Sequence, residues 1–163
     1  MEMQSRRSVL KDAIKAAAAA FGGIMVAGKA SAQTAGRLEK RNPNAKPAGP
    51  KPATPPIYTD VVAYGNLLFV AGKSQHLEGT IEEHTKFVLD TMEKNLIASG
   101  SSMRKVLKVN VYLKNIESDI EKMNSVYRQR DWGDMPPART TTSTAGGLPS
   151  PAALVMMDCI AYV

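Results

Sequence analysis

Six of the chain's ten prolines crowd into residues 33–56, with five basic side chains and hardly a large apolar one. Proline fixes φ and removes a backbone donor, so a run this dense cannot supply a hydrogen-bonded ladder. Too little apolar surface is present to offset the entropy of ordering it. The stretch reads as an extended, basic linker, which confines the folded domain to residues 57–163. The formal charge of +6 divides along the same lines. Residues 1–32 carry five basic and two acidic side chains, residues 33–56 five and one, and residues 57–163 eleven and twelve. The basic excess therefore lies outside the domain, whose charge is −1. Without a basic stripe interleaved with aromatics, no nucleic-acid partner is expected.

Ahead of the linker, Ser5-Arg6-Arg7-Ser8-Val9-Leu10-Lys11 is similar to a twin-arginine export signal. An apolar run over residues 16–27 follows, and then Ala30-Ser31-Ala32, a small-residue cleavage pattern. The run falls short of the roughly 20 apolar residues a spanning helix needs. The expectation is export to the periplasm, cleavage after Ala32, and contact with the membrane only during export.

Within residues 57–163, periodicity sets the elements. Residues 59–64 and 67–71 flank Gly65-Asn66, the chemistry of a tight hairpin. Ile81, Val88, Leu89, Met92 and Leu96 recur at helical spacing, with Thr80-x-x-Glu83 as a capping box and Gly100 as the stop. Residues 106–113 alternate as a half-buried strand. Ser118-x-x-Glu121 reads as the capping box of a second helix that turns Met123, Val126 and Tyr127 inward and Arg128 and Arg130 outward. Residues 140–144 and 154–163 complete the strands. The order is ββαβαββ, an α+β domain with a single mixed sheet. Two helices cover one face of such a sheet and leave the other apolar surface to another chain, so an oligomer is expected.

The chemistry-bearing candidates are charges on strands, because surface charges are abundant and mostly solvating. Arg139 enters its strand directly after Pro136-Pro137-Ala138, and its guanidinium offers a planar fork matched to a carboxylate. Asp158 lies in the otherwise apolar run Val155-Met156-Met157-Asp158-Cys159-Ile160-Ala161, where a carboxylate needs a partner. The plainest reading makes the two a salt bridge between neighbouring strands; the other makes them a site. Asn124 and Tyr58 are weaker candidates, a helix-surface amide and a packing residue by type. A single cysteine, Cys159, excludes an intrachain disulfide and is expected to face the core. The spacing of His76 and His84 is not that of a metal site.

The stretches Gly65-Asn66-Leu67-Leu68-Phe69-Val70-Ala71-Gly72, Asn124-Ser125-Val126-Tyr127, Pro136-Pro137-Ala138-Arg139-Thr140 and Met157-Asp158-Cys159-Ile160-Ala161 resemble the RidA/YjgF family of enamine/imine deaminases. The resemblance spans residues 57–163. It implies a chorismate-mutase-like fold, a homotrimeric barrel with sites at the subunit interfaces, and hydrolysis of 2-imino acids to 2-oxo acids and ammonia without cofactor or metal. By the same resemblance, Arg139 grips the substrate carboxylate and Asp158 stands where the family's glutamate holds the attacking water. Tyr58, Gly72 and Asn124 match pocket positions, and Thr141 falls where active members have cysteine. A non-catalytic trimer that binds a small carboxylate is the alternative the departures from the family pattern leave open. An endoribonuclease-type activity is the third.

Overall fold

A computed structural model of the protein describes residues 39–47, 49 and 54–163. The twin-arginine segment and the cleavage point after Ala32 lie outside these residues. The elements are β1 (Lys40–Arg41), β2 (Val61–Tyr64), β3 (Leu67–Ser74), α1 (Ile81–Ala98), β4 (Val106–Leu113), α2 (Ile116–Tyr127), β5 (Ala138–Ser143) and β6 (Val155–Tyr162), with a 3-10 turn at Met103–Lys105. They form one six-stranded mixed sheet in the order β1-β2-β3-β6-β4-β5, in which β4 and β5 run parallel and every other pair antiparallel.

Local chemistry accounts for most boundaries. Gly65, at φ +59°, closes the two-residue turn that brings Tyr64 opposite Leu67. The capping box of α1 is present in full: the Glu83 amide donates to Thr80 Oγ1 at 3.2 Å and the Thr80 amide to Glu83 Oε2 at 2.8 Å. At its other end Gly100, at φ +80°, lets the Gly100 and Ser101 amides fold back onto the carbonyls of Ile97 (3.0 Å) and Leu96 (2.8 Å).

Two expectations are corrected. α2 starts two residues before Ser118, with Asn115 at its N-cap, and the expected Ser118–Glu121 box does not form. Ser118 Oγ instead donates to Asn115 O and Asp119 Oδ1, while Glu117 and Asp119 place negative charge in the first turn. The basic linker is also not featureless. Lys40–Arg41 add a two-residue edge strand, pairing Lys40 with Tyr64 and Arg41 with Ala63. Arg41 Nη2 donates to Gly65 O at 3.0 Å, and Asn44 Nδ2 to Ser99 Oγ at 3.0 Å. The exposed edge of β2 offers unpaired backbone groups, and a short charged strand satisfies part of them and blunts the edge.

The alternation of each strand sorts the sheet into two unlike faces. Val61, Ala63, Leu68, Val70, Val109, Val111, Val155, Met157, Cys159 and Ala161 turn to the helices and join Val88, Leu89, Met92, Leu96, Met123 and Tyr127 in one core. Cys159 takes the core position expected of it, and burial pushes its thiol up to about 12. Buried His84, on α1, accepts the Leu154 amide at Nδ1 (3.3 Å), which ties the helix to the entry of β6. The intervening residues Val62, Phe69, Met156, Asp158 and Ile160 lie on the other face, which no helix among the described residues covers. Phe69 is 42% exposed there.

Candidate functional site

The parallel pair β4/β5 requires a crossover, and α2 supplies it. That connection decides where Arg139 goes. Arg139 pairs with Val109, a core-facing position, so its side chain leaves the helix-side face of the edge strand. Asn124 and Tyr127, one helical turn apart on α2, meet it there. Arg139 Nη1 donates to Asn124 Oδ1 at 2.8 Å, and its Cζ lies 4.8 Å from the centre of the Tyr127 ring. Among the described residues no acidic side chain forms an ion pair with Arg139. Thr141, two residues on and on the same face, is half-buried and keeps its Oγ1 out of solvent without a hydrogen-bond partner.

Asp158 is elsewhere. Its strand is separated from β5 by β4, and it lies level with Asn110 on the uncovered face of the sheet. Asn110 Nδ2 donates to Asp158 Oδ1 at 2.8 Å. The charge of Asp158, together with burial and a hydrogen bond to it, raises the Tyr112 hydroxyl above its ordinary value. Lys108, on the same face, bonds to Thr140 Oγ1. The salt bridge between neighbouring strands is therefore corrected: β5 and β6 are not neighbours, and Arg139 and Asp158 leave opposite faces. Strand order and side-chain parity, neither of them readable from two positions in a sequence, are the physical reason.

The remaining candidates divide between the two groups. Asn124 belongs with Arg139. Gly72 lies in the irregular step of β3 between Val70 and Lys73, where a Cβ would come 3.0 Å from Met156 Sδ, so a larger residue there would require the Met156 side chain to shift. Gly72 thus belongs with Met156 and Asp158. Tyr58, 65% exposed, precedes β2 and joins neither group. Four residues not assigned to the site from the sequence take part: Asn110 and Tyr112 beside Asp158, Tyr127 against Arg139, and Trp132 stacked on Tyr127. Tyr127 was legible only as an inward helical position, and Asn110 and Tyr112 only as the polar side of an alternating strand.

Comparison with known proteins agrees with this architecture. A model of the family described as endoribonuclease L-PSP matches residues 48–163. A RutC family protein of Pyrococcus abyssi is 37% identical over 120 residues, covering 69% of this chain and 90% of its own. A protein of Dermatophagoides farinae named 2-iminobutanoate/2-iminopropanoate deaminase is 28% identical over 106 residues, covering 61% of this chain and 80% of its own. The crystal structure of a YjgF protein family member from Neisseria meningitidis superposes with a TM-score of 0.65 at 24% identity, covering 77% of this chain and 95% of the other, which is a likeness of fold.

Proposed function

We propose, from the premise that the chain belongs to the endoribonuclease L-PSP (YjgF/RidA) family, that it is an exported homotrimer which hydrolyses 2-imino acids of small amino acids. The observation that carries this reading is the Arg139 guanidinium. Asn124 and the Tyr127 ring engage one nitrogen and one face, and among the described residues no acidic partner consumes the charge. A guanidinium held in this way is a ready fork for a small planar carboxylate.

The hydrolysis needs a second, proton-handling group, and Asp158 sits on the other face of the sheet from Arg139. The two meet only if the uncovered face of one copy, with Gly72, Met156 and Asp158, comes against the β5 edge of the next. The uncovered apolar residues of that face, Phe69 and Ile160 among them, favour such an assembly. In the interface Arg139 holds the substrate carboxylate and fixes the C=N carbon. Water adds to that carbon as Asp158 accepts its proton, and the carbinolamine nitrogen takes the proton back. As the C–N bond of the resulting ammonium breaks, Asp158 takes the hydroxyl proton, releasing ammonia and the 2-oxo acid. Thr141 Oγ1, with no hydrogen-bond partner among the described residues and on the same face as Arg139, supports a role as a further donor to that carboxylate.

A second reading, binding without turnover, has one observation in its favour: Asp158 is already engaged by Asn110 and Tyr112. The ribonuclease reading finds no comparable support in a domain whose charge is −1. Imino acids generated in place by an amino-acid oxidase separate the first two. Wild type should speed their decay over buffer, with Arg139→Ala and Asp158→Ala each losing most of that gain. If wild type adds nothing while 2-oxobutanoate still raises its melting temperature, the binding reading holds. Export rests on the sequence of residues 1–32. N-terminal sequencing of protein from the periplasmic fraction should begin at Gln33, and an intact Met1 in the cytoplasm would refute it.

A further inference from the structure

We propose that Tyr127 and Trp132 are positioning residues: a two-ring stack that holds the Arg139 guanidinium in the orientation that receives a carboxylate. The inference rests on the reading of Arg139 as the carboxylate anchor. Arg139 leaves an edge strand and is itself exposed, so nothing in the sheet fixes its long side chain. Its one side-chain hydrogen bond among the described residues, to Asn124, pins a single nitrogen and leaves rotation about that contact. The Tyr127 ring beneath the guanidinium removes that freedom, because a planar cation over a ring face keeps its plane and its free edge directed outward.

Tyr127 is in turn fixed by Trp132, a buried member of the same core. Trp132 stacks on it with ring centres 4.6 Å apart and planes 28° from parallel, and the Trp132 Nε1–H donates to Tyr127 O at 3.0 Å. Both rings are 6% exposed. The turn that carries Trp132 is built to deliver it. Asp131 Oδ1 accepts the Gly133 amide at 3.0 Å and the Arg104 guanidinium at 2.9 Å, and Gly133 takes φ +75°. Bonding to Gly133 and Arg104 also holds the Asp131 carboxyl below its ordinary value. The Tyr127 hydroxyl, by contrast, is buried without a hydrogen-bond partner, and burial pushes it up to about 12. A tyrosine whose hydroxyl is unused while its ring is sandwiched is retained for the ring.

The experiment measures 2-oxobutanoate affinity by calorimetry, and KM and kcat on oxidase-generated imino acid, for wild type, Trp132→Phe, Trp132→Leu, Tyr127→Phe and Tyr127→Leu. The two phenylalanine variants keep a ring and should stay within about twofold of wild type. The two leucine variants should weaken Kd and raise KM by roughly fivefold or more, with kcat changed much less. Leucine variants that keep their melting temperature and bind as tightly as wild type overturn the proposal. So does Tyr127→Phe falling as far as Tyr127→Leu, since the hydroxyl would then be the working group. A ligand-free readout covers poor folding and separates this inference from the functional reading. The Arg139 Nε–H resonance of the wild-type protein should be shifted upfield by the ring current and relax as a rigid group. A mobile resonance at the position of a free arginine overturns the positioning role whether or not any carboxylate binds. A wild type that ignores 2-oxobutanoate while Arg139 is rigid and shifted refutes only the carboxylate reading.

Discussion

The two faces of the sheet are made by the same strands, residue by residue in alternation, and differ in who completes them. On the helix side, α1 and α2 bring Val88, Leu89, Met92, Leu96 and Met123 down onto Leu68, Val111 and Met157, and every one of these is 0% exposed. On the other side Val62, Phe69, Met156 and Ile160 share the face with a polar group of Asp158, Asn110 and Lys108, and no element among the described residues closes over them. The described residues thus finish one core by themselves and leave a second surface that has both apolar area and ordered polar groups. The two halves of the candidate site follow the same division. Arg139, the proposed anchor, belongs to the helix-covered face, and Asp158 to the face left open among the described residues.

Substitutions can test this contrast directly. Leu68→Ala, in the completed core, should cost about 2–5 kcal/mol in chemical denaturation, because a fully buried side chain leaves a cavity its neighbours cannot fill. Phe69→Asp, its immediate neighbour on the open face, should leave the protomer folded while lowering the solution mass from trimer to monomer by light scattering. An unchanged mass would break the contrast by showing that the open face is not the interface.

Alkaline titration sharpens the picture of the closed face. Burial raises the Cys159 thiol from its ordinary value of 9.0 to about 12, so the folded protein keeps a proton that the unfolded chain gives up. The stabilising contribution is full below pH 9 and is lost as pH climbs from 9 towards 12. Cys159→Ala should flatten that part of a pH–stability curve, and the native thiol should resist alkylation at pH 8 until denaturant is added. The smallest effect belongs to the added edge strand: Arg41→Ala removes one hydrogen bond to Gly65 O and should lower stability by about 1 kcal/mol at most.

Much of this fold is legible in the sequence because short-range chemistry determines it. The Gly65-Asn66 turn, the Thr80 capping box, the Gly100 stop and the alternation of residues 106–113 are each decided within a few residues. The start of α2 was misplaced because Ser118 and Glu121 carry the right side chains for a cap that Asn115 had already taken. The strand at Lys40–Arg41 was hidden because its reason for forming is the open edge of β2, more than twenty residues away, and not its own composition. The site was half visible for the same reason. Sequence proximity to Pro136-Pro137 marks Arg139, but only the crossover through α2 puts Asn124 and Tyr127 around it. Only strand order reveals that Asp158 faces away from it.

The central claim, that one functional site is assembled from the closed face of one copy and the open face of another, can be tested by mixing two inactive proteins. Arg139→Ala and Asp158→Ala chains carrying different tags are co-expressed, and doubly tagged trimers are assayed for imino-acid hydrolysis. The account predicts that each variant alone is inactive and that mixed trimers recover up to roughly a third of wild-type activity, because one interface in three unites an intact Arg139 with an intact Asp158. Mixed trimers no more active than the parent variants would contradict it, as would an Asp158→Ala protein that is fully active alone.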